Sequence, residues 1–157
     1  MNNNTIGGKF EKYVQQLLMK YGRRTERNIM YHKGKKSTCQ VDLEQRTGLV
    51  FREQTIYECK FVGPGSSFNF IRAYIQLGEA LIFTDNLKGV IVTNAQVRDK
   101  HGKEGRSGVE ILDRTDLLTM RFRDSRKPLE DQIAQLNREI RKTPYTPDDA
   151  KFIHKYI

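Results

Sequence analysis

The chain has 157 residues, a length typical of one domain with a small appendage, and its hydrophobic fraction is 37%. Its 28 Lys and Arg outnumber 19 Asp and Glu, and the net charge of +9 favours an anionic partner such as nucleic acid. The sequence shows no apolar run of membrane-spanning length and no signal-peptide pattern, and its 2 cysteines exclude a disulfide framework and a zinc finger. We therefore expect a cytoplasmic protein, with a phage or other mobile element left open as its source.

A first helix is predicted from Thr5 to Tyr21, because apolar residues recur there every three or four positions on one face. Gly22 supplies a typical C-terminal stop. A short strand, Arg27–Tyr31, is expected next, and the basic turn His32–Lys36 follows it. The chain therefore opens with a helix that leads into a sheet.

Two further strands are expected to form a hairpin. The first, Thr38–Arg46, alternates between apolar and polar side chains, so that Asp42 lies on its polar face. Its apolar face is predicted to carry Cys39, Val41 and Leu43. Thr47-Gly48 is the predicted turn, and the second strand, Phe51–Val62, is rich in β-branched and aromatic residues. Gly63-Pro64-Gly65 ends this strand.

A second helix is predicted to begin near Ser66 or Ser67, either of which can cap it. Its expected buried face consists of Ile71, Tyr74, Ile75, Gly78, Leu81 and Ile82. The glycine in this face indicates a close approach between helix and sheet. The elements expected after this helix are a buried strand (Val90–Val92), a polar loop (Gln96–Gly108), a strand (Val109–Leu112) and a short helix capped by Asp113.

The composition changes at Arg121–Pro128, which we interpret as the edge of a core domain, residues 1–127. Residues 128–157 are predicted to be a helical extension that serves in oligomerisation or DNA contact. Its apolar stripe, the C-terminal stripe, consists of Leu129, Ile133, Leu136 and Ile140. The last segment, Tyr145–Ile157, resembles the first helix of a helix-turn-helix module.

The order of elements is helix, three strands, helix, two strands and helix, followed by the extension. This order predicts an α/β fold in which helices flank a mixed central sheet, with the C-terminal helical segment appended.

The residues with the clearest chemical role lie on the hairpin. Glu58 and Lys60 are two positions apart on a strand, so both point to one face, and strand pairing can bring Asp42 beside Glu58. Two carboxylates that converge in a basic protein repel each other unless a cation lies between them, and Mg²⁺ prefers such oxygen ligands. The backbone carbonyl of Cys59 is a further candidate ligand. A solvated cross-strand ion pair is the alternative interpretation.

Glu11 on the first helix, Asp42 on the hairpin and the triplet Glu58-Cys59-Lys60 give the chain a resemblance to the PD-(D/E)XK nuclease superfamily. The resemblance covers roughly Ile6 to Leu118. Val41 stands where the family pattern has a proline. The resemblance implies a restriction-endonuclease-like core, and it leaves open whether the branch is a homing or restriction endonuclease or a Holliday-junction resolvase.

By this resemblance, the implied reaction is hydrolysis of a phosphodiester with Mg²⁺, for which Mn²⁺ can substitute. The implied metal ligands are Asp42, Glu58, Glu11 and the Cys59 carbonyl. Lys60 is expected to orient or activate the attacking water and to offset charge in the transition state. Gln76 on the second helix is expected to support the site, and a solvated helix face is its alternative role.

Basic residues in two loops form a candidate DNA track. They are Lys33, Lys35, Lys36, Arg98, Lys100, Lys103 and Arg106. Ordinary solvated loops are the alternative interpretation. No two of the histidines His32, His101 and His154 stand at metal-ligand spacing in the sequence, so we expect them to be surface residues and not metal ligands.

The sequence therefore predicts an endonuclease, site-specific in the manner of homing or restriction enzymes, that acts on double-stranded DNA. A junction resolvase acting on branched DNA is one alternative, and a non-catalytic DNA-binding protein on the same fold is another. Because one site of this type cuts one strand, we expect a homodimer or higher homo-oligomer. The C-terminal stripe is the predicted contact between subunits, with docking on its own domain as the alternative.

Overall fold

The computed structural model describes residues 3–48, 53–97 and 109–157. Its elements in chain order are α1 (Asn3–Lys20), β1 (Thr25–Lys33), β2 (Ser37–Thr47), β3 (Glu53–Lys60), α2 (Phe70–Thr84), β4 (Lys88–Thr93), β5 (Val109–Leu112), α3 (Arg114–Phe122), α4 (Leu129–Lys142), a 3₁₀ turn (Pro147–Ala150) and β6 (Ile153–Tyr156). Within these ranges, every helix is too short or too polar to cross a membrane.

The strands form one six-stranded sheet with the order β5-β4-β3-β2-β1-β6. β1, β2 and β3 pair antiparallel, as the predicted hairpin requires. β3 with β4 and β4 with β5 are parallel pairs, and β6 lies parallel to β1 at the edge. The predicted α/β fold with a mixed central sheet is therefore confirmed.

Hydrophobic side chains cover both faces of this sheet. On one face, α1, α3 and α4 bury a cluster that includes Phe10, Leu117 and Leu136. On the other face, α2 buries a cluster that includes Ile56 and Ile91. Burial of each such side chain contributes about 1.5–3 kcal/mol to folding. Among the described helices, only α2 packs on the second face.

The second helix begins later than predicted. α2 starts at Phe70, and the side chain of Asn69 caps it by accepting the backbone N–H of Arg72 at 3.0 Å. An asparagine oxygen is as good an N-cap as a serine hydroxyl. Neither Ser66 nor Ser67 is therefore the cap.

The predicted buried face of α2 is largely wrong. Ile71, Ile75 and Ile82 are 71%, 53% and 82% exposed. Tyr74 and Leu81 are partly buried at the margin of the sheet cluster. The residues that face the sheet are Ala73, Leu77 and Ala80.

Close packing at β4 explains this orientation. A Cβ at Gly89 would lie 2.9 Å from Leu77, so the helix and the strand approach closely there. The predicted close approach at Gly78 is wrong, because a Cβ at that position would meet nothing within 4 Å. The small side chains of Ala73 and Ala80 fit the narrow gap, whereas isoleucines in their place would overpack it.

The C-terminal segment forms a strand and not the predicted helix. After a single 3₁₀ turn, Ile153–Tyr156 pairs with β1. Asp149 fixes the turn through ion pairs with Lys12 at 2.9 Å and Arg27 at 3.2 Å. Asn28 donates hydrogen bonds from its amide to the carbonyls that precede β6. The free edge of β1 therefore determines the conformation of this short segment.

The C-terminal stripe packs against its own domain. Leu136 and Ile140 are fully buried in the cluster that α1 covers, and Ile133 packs at its margin. Only Leu129 is largely exposed, at 62%. The predicted subunit contact is therefore wrong. The division into residues 1–127 and 128–157 stays a prediction. The second part contributes a helix that packs on the sheet and a strand that pairs at its edge.

Candidate active site

The candidate site lies where β2 and β3 separate. Their antiparallel ladder ends at the pair of Leu43 and Tyr57. Beyond that pair, the Asp42 carboxylate accepts the backbone N–H of Cys59 at 2.9 Å. The predicted alternation of β2 also breaks here, because Val41 belongs to the cluster under α2 and Leu43 to the cluster under α1. Asp42 is thereby buried beside the open end of the ladder.

Glu58 and Lys60 project from β3 away from the α1 side of the sheet. Their neighbours Tyr57 and Cys59 are buried in the α1 cluster, so alternation directs Glu58 and Lys60 to the opposite face. The Nζ of Lys60 lies 2.9 Å from Oε1 of Glu58. An ion pair is therefore present, but it joins two residues of one strand and its carboxylate is buried, so it differs from the solvated cross-strand pair of the alternative interpretation.

Glu11 reaches the same place from α1, where its carboxyl group lies within hydrogen-bonding reach of the Asp42 carboxyl group. The pKa of Asp42 is raised to about 8, mainly by burial and secondly by the nearby charge of Glu11. Burial raises the pKa of Glu11 and of Glu58 to about 7 each. Repulsion between Asp42 and Glu58 acts in the same direction. The three carboxyl groups therefore retain protons near neutral pH in the absence of a further cation.

A cleft of about 1110 Å³ contains the residues that the sequence predicted for the site. They are Glu11, Asp42, Glu58, Cys59, Lys60 and Gln76. The Oε1 atom of Gln76 is buried and has no hydrogen-bond partner among the described residues. A buried acceptor without a partner is costly, so this atom is suited to a water or ligand in the cleft.

One wall of the cleft comes from the C-terminal segment, which sequence reasoning missed. Tyr145, Ala150 and Phe152 line this wall. Tyr145 packs over α1 at Gly8, where an added Cβ would lie 2.5 Å from the tyrosine ring. A glycine inside the first helix is the only sequence signal of this contact, and it does not identify its partner.

Three of the seven residues of the candidate DNA track lie in the part of the chain that the structure describes. Lys33, Lys35 and Lys36 are exposed at the turn between β1 and β2. The other members, Arg98, Lys100, Lys103 and Arg106, lie outside the described residues. Thr38 and Cys39, near the start of β2 just after this turn, line the cleft. The basic turn therefore lies near the cleft opening.

The fold brings two histidines together that lie more than 100 residues apart in the sequence. Pairing of β1 with β6 brings His32 Nε2 within 2.8 Å of His154 Nδ1. The ring of Tyr156 stacks on His32 with centroids 4.6 Å apart. These contacts fasten the edge strand. His101 lies outside the described residues.

The donor set restricts the kind of metal that the cleft can hold. No group of three or more His, Cys, Asp or Glu side chains stands at metal-binding distance in the part of the chain that the structure describes. The available donors are oxygen atoms, and Mg²⁺ typically takes one or two carboxylates and keeps several waters. When bound, Mg²⁺ or Mn²⁺ would take oxygen donors of this kind, which differ from the nitrogen and sulfur donors typical of a structural zinc site.

Comparisons with known proteins identify the fold. No protein-family profile and no curated protein matches the chain. A solved protein of unknown function, AF1548, is 16% identical with a TM-score of 0.56, and the match covers 94% of this chain and 92% of that one.

Two restriction endonucleases are also similar in structure. The DNA modification-dependent restriction endonuclease AspBHI is 15% identical with a TM-score of 0.53, over 86% of this chain and 35% of that one. The MspJI restriction endonuclease, solved in complex with a 27-mer oligonucleotide, is 14% identical with a TM-score of 0.50, over 94% of this chain and 34% of that one. The chain thus has a restriction-endonuclease-like fold and spans about a third of the length of each enzyme.

Proposed function

We propose that the protein is a metal-dependent endodeoxyribonuclease that hydrolyses phosphodiester bonds of double-stranded DNA at specific sites. The observation that carries this proposal is the cleft in which Asp42, Glu58 and Lys60 meet on a restriction-endonuclease-like fold. Buried titratable groups with displaced pKa values in a cleft are typical of active sites. The PD-(D/E)XK resemblance of the sequence points to the same residues.

Asp42, Glu58 and the carbonyl of Cys59 are the proposed ligands of Mg²⁺, and Glu11 would complete the metal shell directly or through a water molecule. The raised pKa values of the three carboxyl groups support this assignment, because a divalent cation would favour their charged forms. When bound, the metal would polarise a phosphoryl oxygen and lower the pKa of a water molecule.

Lys60 and Gln76 are proposed to act on the attacking water and the phosphate. The Lys60 ammonium is held 2.9 Å from Glu58, and the lysine side chain is 33% exposed, so it can reach a substrate at the cleft opening. There it would orient the water and offset the negative charge that develops on the phosphate. Gln76 would accept a hydrogen bond from that water through its unpartnered Oε1.

DNA as the substrate is supported by charge and by the solved relatives. The net charge of +9 and the exposed basic turn near the cleft favour a polyanion. Both similar endonucleases are named for restriction, and MspJI is bound to an oligonucleotide. We therefore propose DNA contacts along Lys33, Lys35 and Lys36, and along the basic loop residues Arg98, Lys100, Lys103 and Arg106.

Cleavage assays on three substrates test this function. The purified chain should cut a linear duplex or plasmid at discrete positions in Mg²⁺ or Mn²⁺ and leave the same DNA intact in EDTA. Preferential cutting of a four-way junction over a duplex of the same sequence would favour the resolvase alternative. Unchanged cutting in EDTA would contradict the metal mechanism, and DNA binding without cutting of any substrate would favour the non-catalytic alternative.

A further inference from the structure

The outer face of α2 carries an apolar stripe that no described residue covers. It consists of Ile71, Ile75, Gly78 and Ile82, and we refer to it as the α2 stripe. The spacing of four, three and four residues places all of them on one side of the helix. The three isoleucines are 71%, 53% and 82% exposed, in the order Ile71, Ile75 and Ile82.

α2 is therefore apolar on two opposite faces. Ala73, Leu77 and Ala80 pack on the sheet, and the α2 stripe points away from it. A helix that is apolar all round is typically buried all round, and a contiguous exposed apolar patch marks an interaction surface. The helix lacks the polar outer face that a solvated surface helix would carry.

The two charged residues beside the stripe indicate what kind of surface would complement it. Arg72 and Glu79 are the only charged side chains of α2, and neither forms an ion pair among the described residues. They lie seven residues apart on the same flank of the stripe. Two antiparallel copies of α2 would therefore bring Arg72 of each copy beside Glu79 of the other.

We propose that α2 pairs with α2 of a second copy of this chain, antiparallel about a two-fold axis. In that arrangement Ile71 lies opposite Ile82 of the second copy, and Ile75 lies opposite its Gly78. Gly78 has open space around its Cβ position, so it can receive the opposing isoleucine. Arg72 of one copy and Glu79 of the other are then offset by only about 3 Å along the helix axis, because they are two residues out of register and each residue rises about 1.5 Å.

A parallel pair fits the same residues less well. It would set Gly78 against Gly78 and leave a gap between the isoleucine layers. It would also leave Arg72 and Glu79 without an opposite charge across the seam. Shape and charge therefore both favour the antiparallel, two-fold arrangement, in which each half of the stripe complements the other.

The position of α2 gives this pairing a consequence for cleavage, which rests on the proposed function. Gln76 of α2 lines the candidate active site, so pairing through α2 would place two clefts on either side of the two-fold axis. Two sites related in this way can cut both strands of one duplex.

Light scattering of the full chain tests the pairing without DNA. The wild type should have twice the monomer mass of 18.3 kDa. Ile75→Glu should reduce the mass to that of a monomer, because it places a charge in the centre of the stripe. Leu129→Glu is the matched control: Leu129 is a comparably exposed apolar helix residue outside α2, and its substitution should leave the dimer intact. Circular dichroism checks that each variant is folded.

Charge reversal tests the antiparallel arrangement itself. Arg72→Glu or Glu79→Arg alone should weaken the dimer roughly tenfold, because each creates two like-charge pairs. The double variant should recover wild-type affinity. A monomeric wild type, an unaffected Ile75→Glu dimer or failure of the double variant to recover would overturn the inference. A dimer that responds as expected but cuts no DNA would contradict the proposed function alone.

Discussion

At the scale of single residues, the candidate site is a place where like charges are buried together. Burial raises the pKa of Asp42 to about 8 and that of Glu58 to about 7. Both values lie above those of the unfolded chain, so the folded protein binds more protons between about pH 4 and pH 8. Its free energy of unfolding should therefore fall as the pH rises through this range in the absence of a divalent metal.

Asp42→Asn should remove much of this pH dependence. The amide cannot ionise, yet its oxygen can still accept the N–H of Cys59, so the variant should be more stable than the wild type by on the order of 2 kcal/mol at pH 8. The difference should shrink towards pH 4. Urea unfolding in EDTA at several pH values measures it.

The same variant should lose stabilisation by metal. Mg²⁺ should raise the melting temperature of the wild type, because a ligand that binds only the folded state stabilises it. Asp42→Asn should show little response. Glu53→Gln is the control, since Glu53 is an exposed acid on the neighbouring strand β3. Equal responses of wild type and Asp42→Asn would exclude Asp42 as a ligand.

Strand periodicity was sufficient to predict that Glu58 and Lys60 share a face, because that relation depends only on two neighbouring positions. The contact between Glu11 and Asp42 depends on how α1 crosses the sheet, and only the resemblance to nucleases pointed to it. Tyr145 and Phe152 could not be predicted, because their place in the cleft depends on the pairing of β6 with β1, the first and last strands of the chain.

At the scale of elements, α4 is part of the core. Leu136→Ala should lower the free energy of unfolding by about 2–4 kcal/mol, because it removes a fully buried side chain and leaves a cavity. Leu129→Ala should change it by less than about 0.5 kcal/mol, because that side chain is 62% exposed. Denaturant unfolding of the wild type and of the two variants measures these free energies. Similar small losses for both would show that α4 does not pack as described.

The elements that were predicted well are those with strong local patterns. α1, β1 and the hairpin agree with their predicted ranges to within a few residues. α2 was placed with the wrong face inward because hydrophobicity alone cannot distinguish a core face from an exposed apolar face. The last segment was predicted as a helix because its pairing partner, the edge of β1, is more than 100 residues away.

At the scale of the whole molecule, the excess positive charge should govern DNA affinity. If the basic turn contacts phosphates, the double variant Lys35→Glu and Lys36→Glu should weaken binding about tenfold or more and reduce the salt dependence of the affinity. Arg123→Glu with Arg126→Glu reverses two exposed charges after α3 and serves as the control. Fluorescence anisotropy at several salt concentrations measures both. Equal losses for the two variants would indicate that only net charge matters.

Single-turnover cleavage of a DNA duplex by matched ion-pair variants tests the central claim most directly. β3 takes part in two lysine–glutamate pairs: Lys60 with Glu58 in the cleft, and Lys88 of β4 with Glu53 at the exposed end. Glu58→Gln and Lys60→Met should each reduce the cleavage rate in Mg²⁺ at least 100-fold, about 2.7 kcal/mol or more in the barrier. DNA binding should persist in both. Glu53→Gln and Lys88→Met should cut at the wild-type rate, whereas cleavage that survives in the cleft variants would contradict the account.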